Sequence, residues 1–309
     1  MTPLSTWDHR YLRMARHVAS WSKDPSTQCG AVLVRPNRTL ASVGFNGFPS
    51  QLADHPHLYA DRSLKYPRVL HSEWNAIRTS MDPSLQDYTV YAWPMPPCDL
   101  CTASLVQKGV RRVVCPRPTP DKVERWGRQF ELALGTWENA KADIHMVDVG
   151  DIELMDLGMD PHASKWARRF LAVAHELSTW SKDPIAPRGT VISRPSKTIA
   201  SMGFSGFPQG QQDEPLLFGD TEVRNSRLLS AELNAILFSQ DPTLDGCAAH
   251  TWPGPPDMRA TVHLIGEGIQ KIVFPVGPGI SPIANDVQEA WEEAGATIEM
   301  IAASPRSTA

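Results

Sequence analysis

The sequence predicts an α/β protein of two tandem domains, each a mixed sheet with helices packed on it. Three observations carry this. The length of 309 residues exceeds what one hydrophobic core usually organises. The chain repeats itself: SWSKDP at 20–25 returns as TWSKDP at 179–184, VGFNGFP at 43–49 as MGFSGFP at 202–208, and KGVRRVVCP at 108–116 as EGIQKIVFP at 267–275, always 159 residues later. Each copy also alternates strand-like and helix-like stretches in the order β-β-α-β-α-β. After Pro116 the offset falls to 154, aligning WENAKADIHM (137–146) with WEEAGATIEM (291–300). The length difference is assigned to a surface connection, PRPTPDKVERWGRQ in one copy against VGPGISP in the other. The domains are expected at about 1–155 and 160–309, joined near DIELMDLGMDP.

In the first copy a helix is expected from Trp7 to Trp21, because Tyr11, Leu12, Met14, Ala15 and Val18 share a broad apolar face. CGAVLV (29–34) and TLASVGF (39–45) read as strands with PNR as the turn. VLHSEWNAIRTS (69–80) reads as a helix that must stop before Asp82-Pro83. YTVYAW (88–93) is a strand, PCDLCTASLVQKG (97–109) a helix closed by Gly109, and RRVVCP (111–116) a further strand. The tail ASPRSTA is read as unstructured.

Composition excludes several classes. At 41% apolar and 21% charged, the chain reads as an ordinary soluble globular protein. A net charge of −4 gives no general attraction to nucleic acid. No apolar run approaches the roughly 18 residues of a membrane span. The N-terminal stretch carries charges where a signal peptide needs an apolar centre. Five cysteines, an odd number, do not suggest a disulfide framework. A reducing cytoplasm is the expected compartment. The tryptophan pairs Trp7/Trp166, Trp21/Trp180 and Trp93/Trp252 recur across the copies, which favours packing over base stacking.

The chemistry sits in the first copy. His71 lies on one expected helix, and Cys98 and Cys101 lie at the start of the next. Two thiols spaced by two residues at a helix N-terminus can face one ion, and the helix dipole lowers their pKa. One imidazole and two thiolates leave a fourth tetrahedral position open, the catalytic arrangement of zinc rather than the closed structural one. Zinc so held lowers the pKa of bound water to about 7. Glu73, two residues beyond His71, is placed to move a proton. Singly, a Cys-x-x-Cys is as well a zinc knuckle or redox pair, and a lone histidine is usually packing. The second Cys-x-x-Cys that a closed site would want is absent, and His-x-Glu followed by Pro-Cys-x-x-Cys forms the zinc-deaminase signature.

Over residues 20–114 the first copy resembles the cytidine/deoxycytidylate deaminase superfamily, most closely its dCMP deaminase branch. SKDPSTQCGAVLV, GFNGFP, DRSLKYPRVLHSEWNAI, PPCDLC and KGVRRVV carry the likeness in family order. The resemblance implies two tandem cytidine-deaminase-like α/β/α domains with sheets of about five strands. It implies zinc on His71, Cys98 and Cys101, proton transfer by Glu73, and hydrolysis of cytosine at C4 with loss of ammonia. It also implies that Asn46 hydrogen-bonds the sugar. Ser72 stands where alanine is commoner, Phe45 where tyrosine is, and Gln28 and Cys29 replace a basic residue expected before the first strand. Arg62, Lys65 and Arg68 are the alternative cations for a substrate phosphate, a solvated charged face being the other reading. The expected reaction is dCMP to dUMP; dCTP, CMP, 5-modified dCMP and single-stranded nucleic acid are rival substrates, and a zinc-stabilised nucleotide sensor is the non-enzymatic rival. A riboflavin-pathway deaminase would carry a reductase domain where this chain carries its repeat.

In the second copy His71 becomes Ser230, Cys98 becomes Asp257, Cys101 becomes Ala260 and Asn46 becomes Ser205, while Glu232 persists at the place of Glu73. Ala260 offers no donor atom, so this copy is expected to be a metal-free, degenerate deaminase-like domain. It is read as the permanent partner of the first in an internal pseudo-dimer, with further homo-oligomerisation open. The rival reading is a pocket for a nucleotide effector, with Arg188, Arg224 and Arg227 holding phosphates.

Overall fold

The computed structural model describes residues 4–150, 152–208, 218–219 and 221–304. The tail expected to be unstructured lies outside them from position 305 on. The chain forms two compact units, Met1–Glu153 and Leu154–Ala309. Among the described residues no helix is long and apolar enough to cross a membrane.

The first unit opens with α1 (Thr6–Ala19), started by a capping box: the Asp8 N–H donates to Ser5 Oγ at 3.2 Å while the Ser5 N–H donates to Asp8 Oδ2 at 2.9 Å. β1 (Gly30–Val34) and β2 (Leu40–Phe45) follow as an antiparallel hairpin. Short α2 (Pro56–Ala60) and α3 (Arg62–Lys65) lead into α4 (Ser72–Thr79), then β3 (Thr89–Trp93), α5 (Asp99–Gln107) and β4 (Arg112–Pro116). The unit ends with α6 (Pro120–Asn139) and β5 (Asp143–Val147). The sheet order is β2-β1-β3-β4-β5, antiparallel up to β3 and parallel beyond it.

Alternation along β1 divides the layers. Ala31 and Leu33 join Ala76, Leu105, Val113 and Trp137 in a core beneath α4, α5 and α6. Gly30 faces the other way, where a Cβ would sit 2.2 Å from the Ala15 carbonyl oxygen of α1. Gly44 does the same for α4, a Cβ there meeting the Ser72 carbonyl oxygen at 2.2 Å. Helix and strand therefore approach closely on both faces, and α4 is seated with its first turn over the sheet. Ser42 Oγ donates to the Ala76 carbonyl at 2.6 Å and Asn75 Nδ2 to the Phe45 carbonyl at 2.8 Å, which fixes that seat.

The second unit repeats the plan: α7 (Lys165–Ser178), β6 (Gly189–Ser193), β7 (Ile199–Phe204), α8 (Thr221–Arg227), α9 (Ala231–Leu237), β8 (Ala248–Trp252), α10 (Met258–Gly266), β9 (Lys271–Val276), α11 (Asn285–Glu293) and β10 (Thr297–Ala302). Its sheet order is β10-β9-β8-β6-β7. The seating bonds recur as Ser201 Oγ to the Ala235 carbonyl and Asn234 Nδ2 to the Phe204 carbonyl. Each unit is thus a five-stranded mixed sheet flanked by helices, the α/β class expected.

One expectation is corrected. The segment read as a surface connection in the first copy belongs largely to α6, which runs 20 residues from Pro120, against nine in α11. Pro120 is favoured in the first turn of a helix, where no intrahelical N–H is needed. Phe130, Ala133 and Trp137 then lie on one helical stripe and are buried. The difference between the copies extends a helix rather than a loop.

Candidate metal and substrate site

The N-termini of α4 and α5 bring His71, Cys98 and Cys101 together. His71 is the N-cap residue of α4 and Cys98 that of α5, and neither side chain makes the usual capping hydrogen bond. They face each other instead. His71 Nδ1 is 3.3 Å from Cys98 Sγ and 3.5 Å from Cys101 Sγ, and the three potential ligand atoms lie within 4.8 Å of one another. The hydrogen bond from the Cys101 thiol, opposed by burial and helped by His71, pushes the Cys98 thiol down to about 4. The hydrogen bond with Cys98, opposed by burial and helped by Glu73, pushes His71 up to about 9. Proximity to Cys98 and burial push Cys101 up. The cluster readily holds one thiolate against a cation. Two sulfurs and one imidazole nitrogen, converging with no oxygen donor among them, fit Zn2+.

Glu73 is the second residue of α4 and is only 6% exposed, with Ser72 Oγ donating to its Oε2 at 3.1 Å. Burial raises its pKa despite the attraction of His71. His71, Glu73 and Cys98 line a cavity of about 680 Å³. Trp93, Asn46, Arg62 and Lys65 line it too, as do Arg125, Trp126, Gln129 and Phe130 of α6.

The proposed substrate contacts divide. Asn46 is at the cavity, but its amide is committed to the loop: Oδ1 accepts the Cys29 N–H at 2.7 Å, and Nδ2 donates to the Thr27 carbonyl at 2.9 Å and Asp24 Oδ2 at 3.3 Å. Lys65, expected as a phosphate donor, is 6% exposed and ion-paired with Asp24 at 2.6 Å. The pair holds Asp24 below the usual carboxylate range, against the effect of burial. Lys65 is thus a structural cation. Arg68 is not among the cavity residues; its Nη1 donates to the Leu64 carbonyl at 2.7 Å. Arg62 is exposed at the cavity with no carboxylate partner among the described residues. Arg125 is a cation the sequence reading missed, its guanidinium 4.3 Å from the centre of the Trp126 ring. The sequence gives no sign of it, because its segment reads as a loop at the alignment gap.

The second unit has different chemistry at the same register. Ser230 Oγ accepts the Leu233 N–H at 3.3 Å and Asp257 Oδ1 accepts the Ala260 N–H at 2.8 Å, so both are true N-caps. Among the described residues the metal-competent cluster is that of His71, Cys98 and Cys101 alone. Arg188, at the repeat position of Cys29, donates from Nη2 to Glu232 Oε1 at 3.2 Å and to the Gly254 and Pro255 carbonyls at 2.9 and 2.8 Å. Arg224 pairs with buried Asp183, as Lys65 does with Asp24. Arg188 and Arg224, the phosphate holders of the rival reading, are thus already engaged by carboxylates. Arg227 is not among the residues lining this unit's cavity.

A His/Cys/Cys cluster that could hold a metal ion and a buried carboxyl group thus lie beside one cavity. Residues 5–116 match the family described as the cytidine and deoxycytidylate deaminase zinc-binding region. An uncharacterized deaminase in the luxG 3′ region of Aliivibrio fischeri is 38% identical over 141 residues, 46% of this chain and 93% of that protein. The deoxycytidylate deaminase of Mus musculus is 31% identical over 113 residues, 35% of this chain and 63% of that protein. Among solved structures, the dCMP deaminase of cyanophage S-TIM5 matches 48% of this chain and all of its own at 20% identity, with a TM-score of 0.37. The chain belongs to the cytidine and deoxycytidylate deaminase family.

Proposed function

We propose that the first unit deaminates a cytosine nucleotide, dCMP foremost, to the uracil nucleotide and ammonia, and that the second unit is non-catalytic. The observation that carries this is the convergence of His71, Cys98 and Cys101, with His71, Cys98 and the Glu73 carboxyl group lining one cavity. His71, Cys98 and Cys101 would hold zinc, which when bound acts as a Lewis acid and lowers the pKa of water at its open position. Glu73 takes one proton from water and gives it to the ring nitrogen, then takes the second from the new hydroxyl and gives it to the exocyclic amine, which leaves as ammonia. A carbon–oxygen bond forms at C4 as the bond to the exocyclic nitrogen breaks. The raised pKa of Glu73 suits it to both directions of transfer. Trp93 and Trp126 enclose the base, and Arg62 and Arg125 meet the phosphate. Asn46 holds the loop on which the sugar rests, so any hydrogen bond to the sugar shares atoms already bonded to that loop. Reduced thiols are required throughout, consistent with a reducing compartment.

The test is ammonia release by the zinc-loaded chain on dCMP, with dCTP, CMP and deoxycytidine in parallel and Glu73→Ala as the blank. Turnover of dCMP that vanishes in the variant supports the reading. Absence of turnover on all four with zinc bound would sink it.

A further inference from the structure

The second unit lacks metal ligands, yet its cavity has not closed. It encloses about 740 Å³. Glu232 lines it at 1% exposure, with Oε1 engaged by Arg188 and Oε2 meeting no donor among the described residues. A buried carboxylate oxygen without a donor weakens a fold. Of the other polar groups of the wall, Ser230 and Asp257 cap their own helices and Arg224 is held by Asp183. Glu232 Oε2 is a buried acceptor on this wall still without a donor among the described residues.

The charges say what kind of guest. Arg62 of the first unit aligns with Thr221, and Arg125 falls in the stretch of α6 where the copies differ in length. Neither cation assigned to a phosphate has a counterpart here. Asp257 and Asp286 line the wall, and exposed Arg259 is the cation left without a carboxylate partner among the described residues. Such a wall favours a neutral ligand over a phosphorylated one.

We propose that the second unit binds, without hydrolysing it, a pyrimidine nucleoside whose base donates an N–H to Glu232 Oε2. This rests on the proposed function only in taking the base-facing place of the carboxyl group from Glu73. Arg188 supplies the positive charge beside that carboxylate, and Ala260 leaves no set of metal ligands to activate water.

Equilibrium dialysis of the full chain with labelled deoxyuridine, which carries a ring N–H and no amine to hydrolyse, tests this. The wild type is expected to hold one more equivalent than Glu232→Ala, whose cavity should bind about tenfold or more weakly. Arg188 keeps the Gly254 and Pro255 carbonyls in that variant. Ser281→Trp, at an exposed position of the wall, should abolish the same equivalent by filling the space. Unchanged binding in both variants, or no binding to the wild type, overturns the proposal. So does a preference of tenfold or more for dUMP at the equivalent that Glu232→Ala removes. Ammonia release from dCMP by the Glu232→Ala chain reports separately on the first unit.

Discussion

Ser230 and Asp257 show what His71 and Cys98 forgo. All four stand at helix N-caps, but only the first pair satisfies a backbone N–H of its own helix. Ser230→Ala and Asp257→Ala are each expected to destabilise the second unit by about 1 kcal/mol, read from the denaturant midpoint. Glu73→Gln keeps the shape but cannot carry a proton. It should retain one zinc by elemental analysis and lose about 10²–10⁴ of the turnover rate. His250 gives a pH signature. Burial, aided by Lys271 and Lys197, pushes it down to about 3, and its Nε2 lies 3.0 Å from Ser193 Oγ. The folded state holds it neutral, while the unfolded chain takes up a proton near pH 6.5. Stability from this group is therefore complete above about 6.5 and falls away as pH drops towards 3, by up to about 1.4 kcal/mol per pH unit. Thermal unfolding between pH 7 and 5 should show the loss, and His250→Gln should flatten it. The metal ligands were legible at this scale because His-x-Glu and Cys-x-x-Cys are local patterns. The ion pair of Lys65 was not legible, because its partner Asp24 lies 41 residues away, a pairing no local pattern reveals.

Among the elements, α6 matters most to substrate choice. Its long N-terminal half brings Arg125, Trp126 and Gln129 to the cavity wall, and α11 is shorter. If Arg125 meets the phosphate, Arg125→Ala should raise KM for dCMP about tenfold and leave kcat within about twofold, since the contact is made equally before and during the reaction. A fall in kcat at unchanged KM would place Arg125 elsewhere in the mechanism. The strands, α1, α4 and α5 were readable because hydrophobic period and stop signals agreed along each. α6 was not, because the alignment gap and the prolines at 116, 118 and 120 are loop signals that outweigh the spacing of Phe130, Ala133 and Trp137.

For the whole molecule, the consequence of having one metal-competent cluster among the described residues is asymmetry. Chelation should raise hydrogen exchange in α4 and α5, whose first turns depend on the ligands, and leave α9 and α10 unchanged. Equal deprotection of both pairs would mean that zinc does not act locally. The repeat made the two-unit plan legible from sequence, since a constant register over many landmarks admits one fold twice. What replaced the metal in the second copy was not legible, because Arg188 reads as a surface cation until Glu232 is seen beside it.

That arginine changes how each unit answers to its surroundings. Glu73 shares its site with an ion drawn from solution, so the cation's presence obeys mass action and fades as free metal falls below its dissociation constant. Glu232 has its counter-charge on the same polypeptide, where dilution cannot remove it. The first unit's electrostatics therefore track the metal supply from moment to moment, whereas those of the second were set once, at translation.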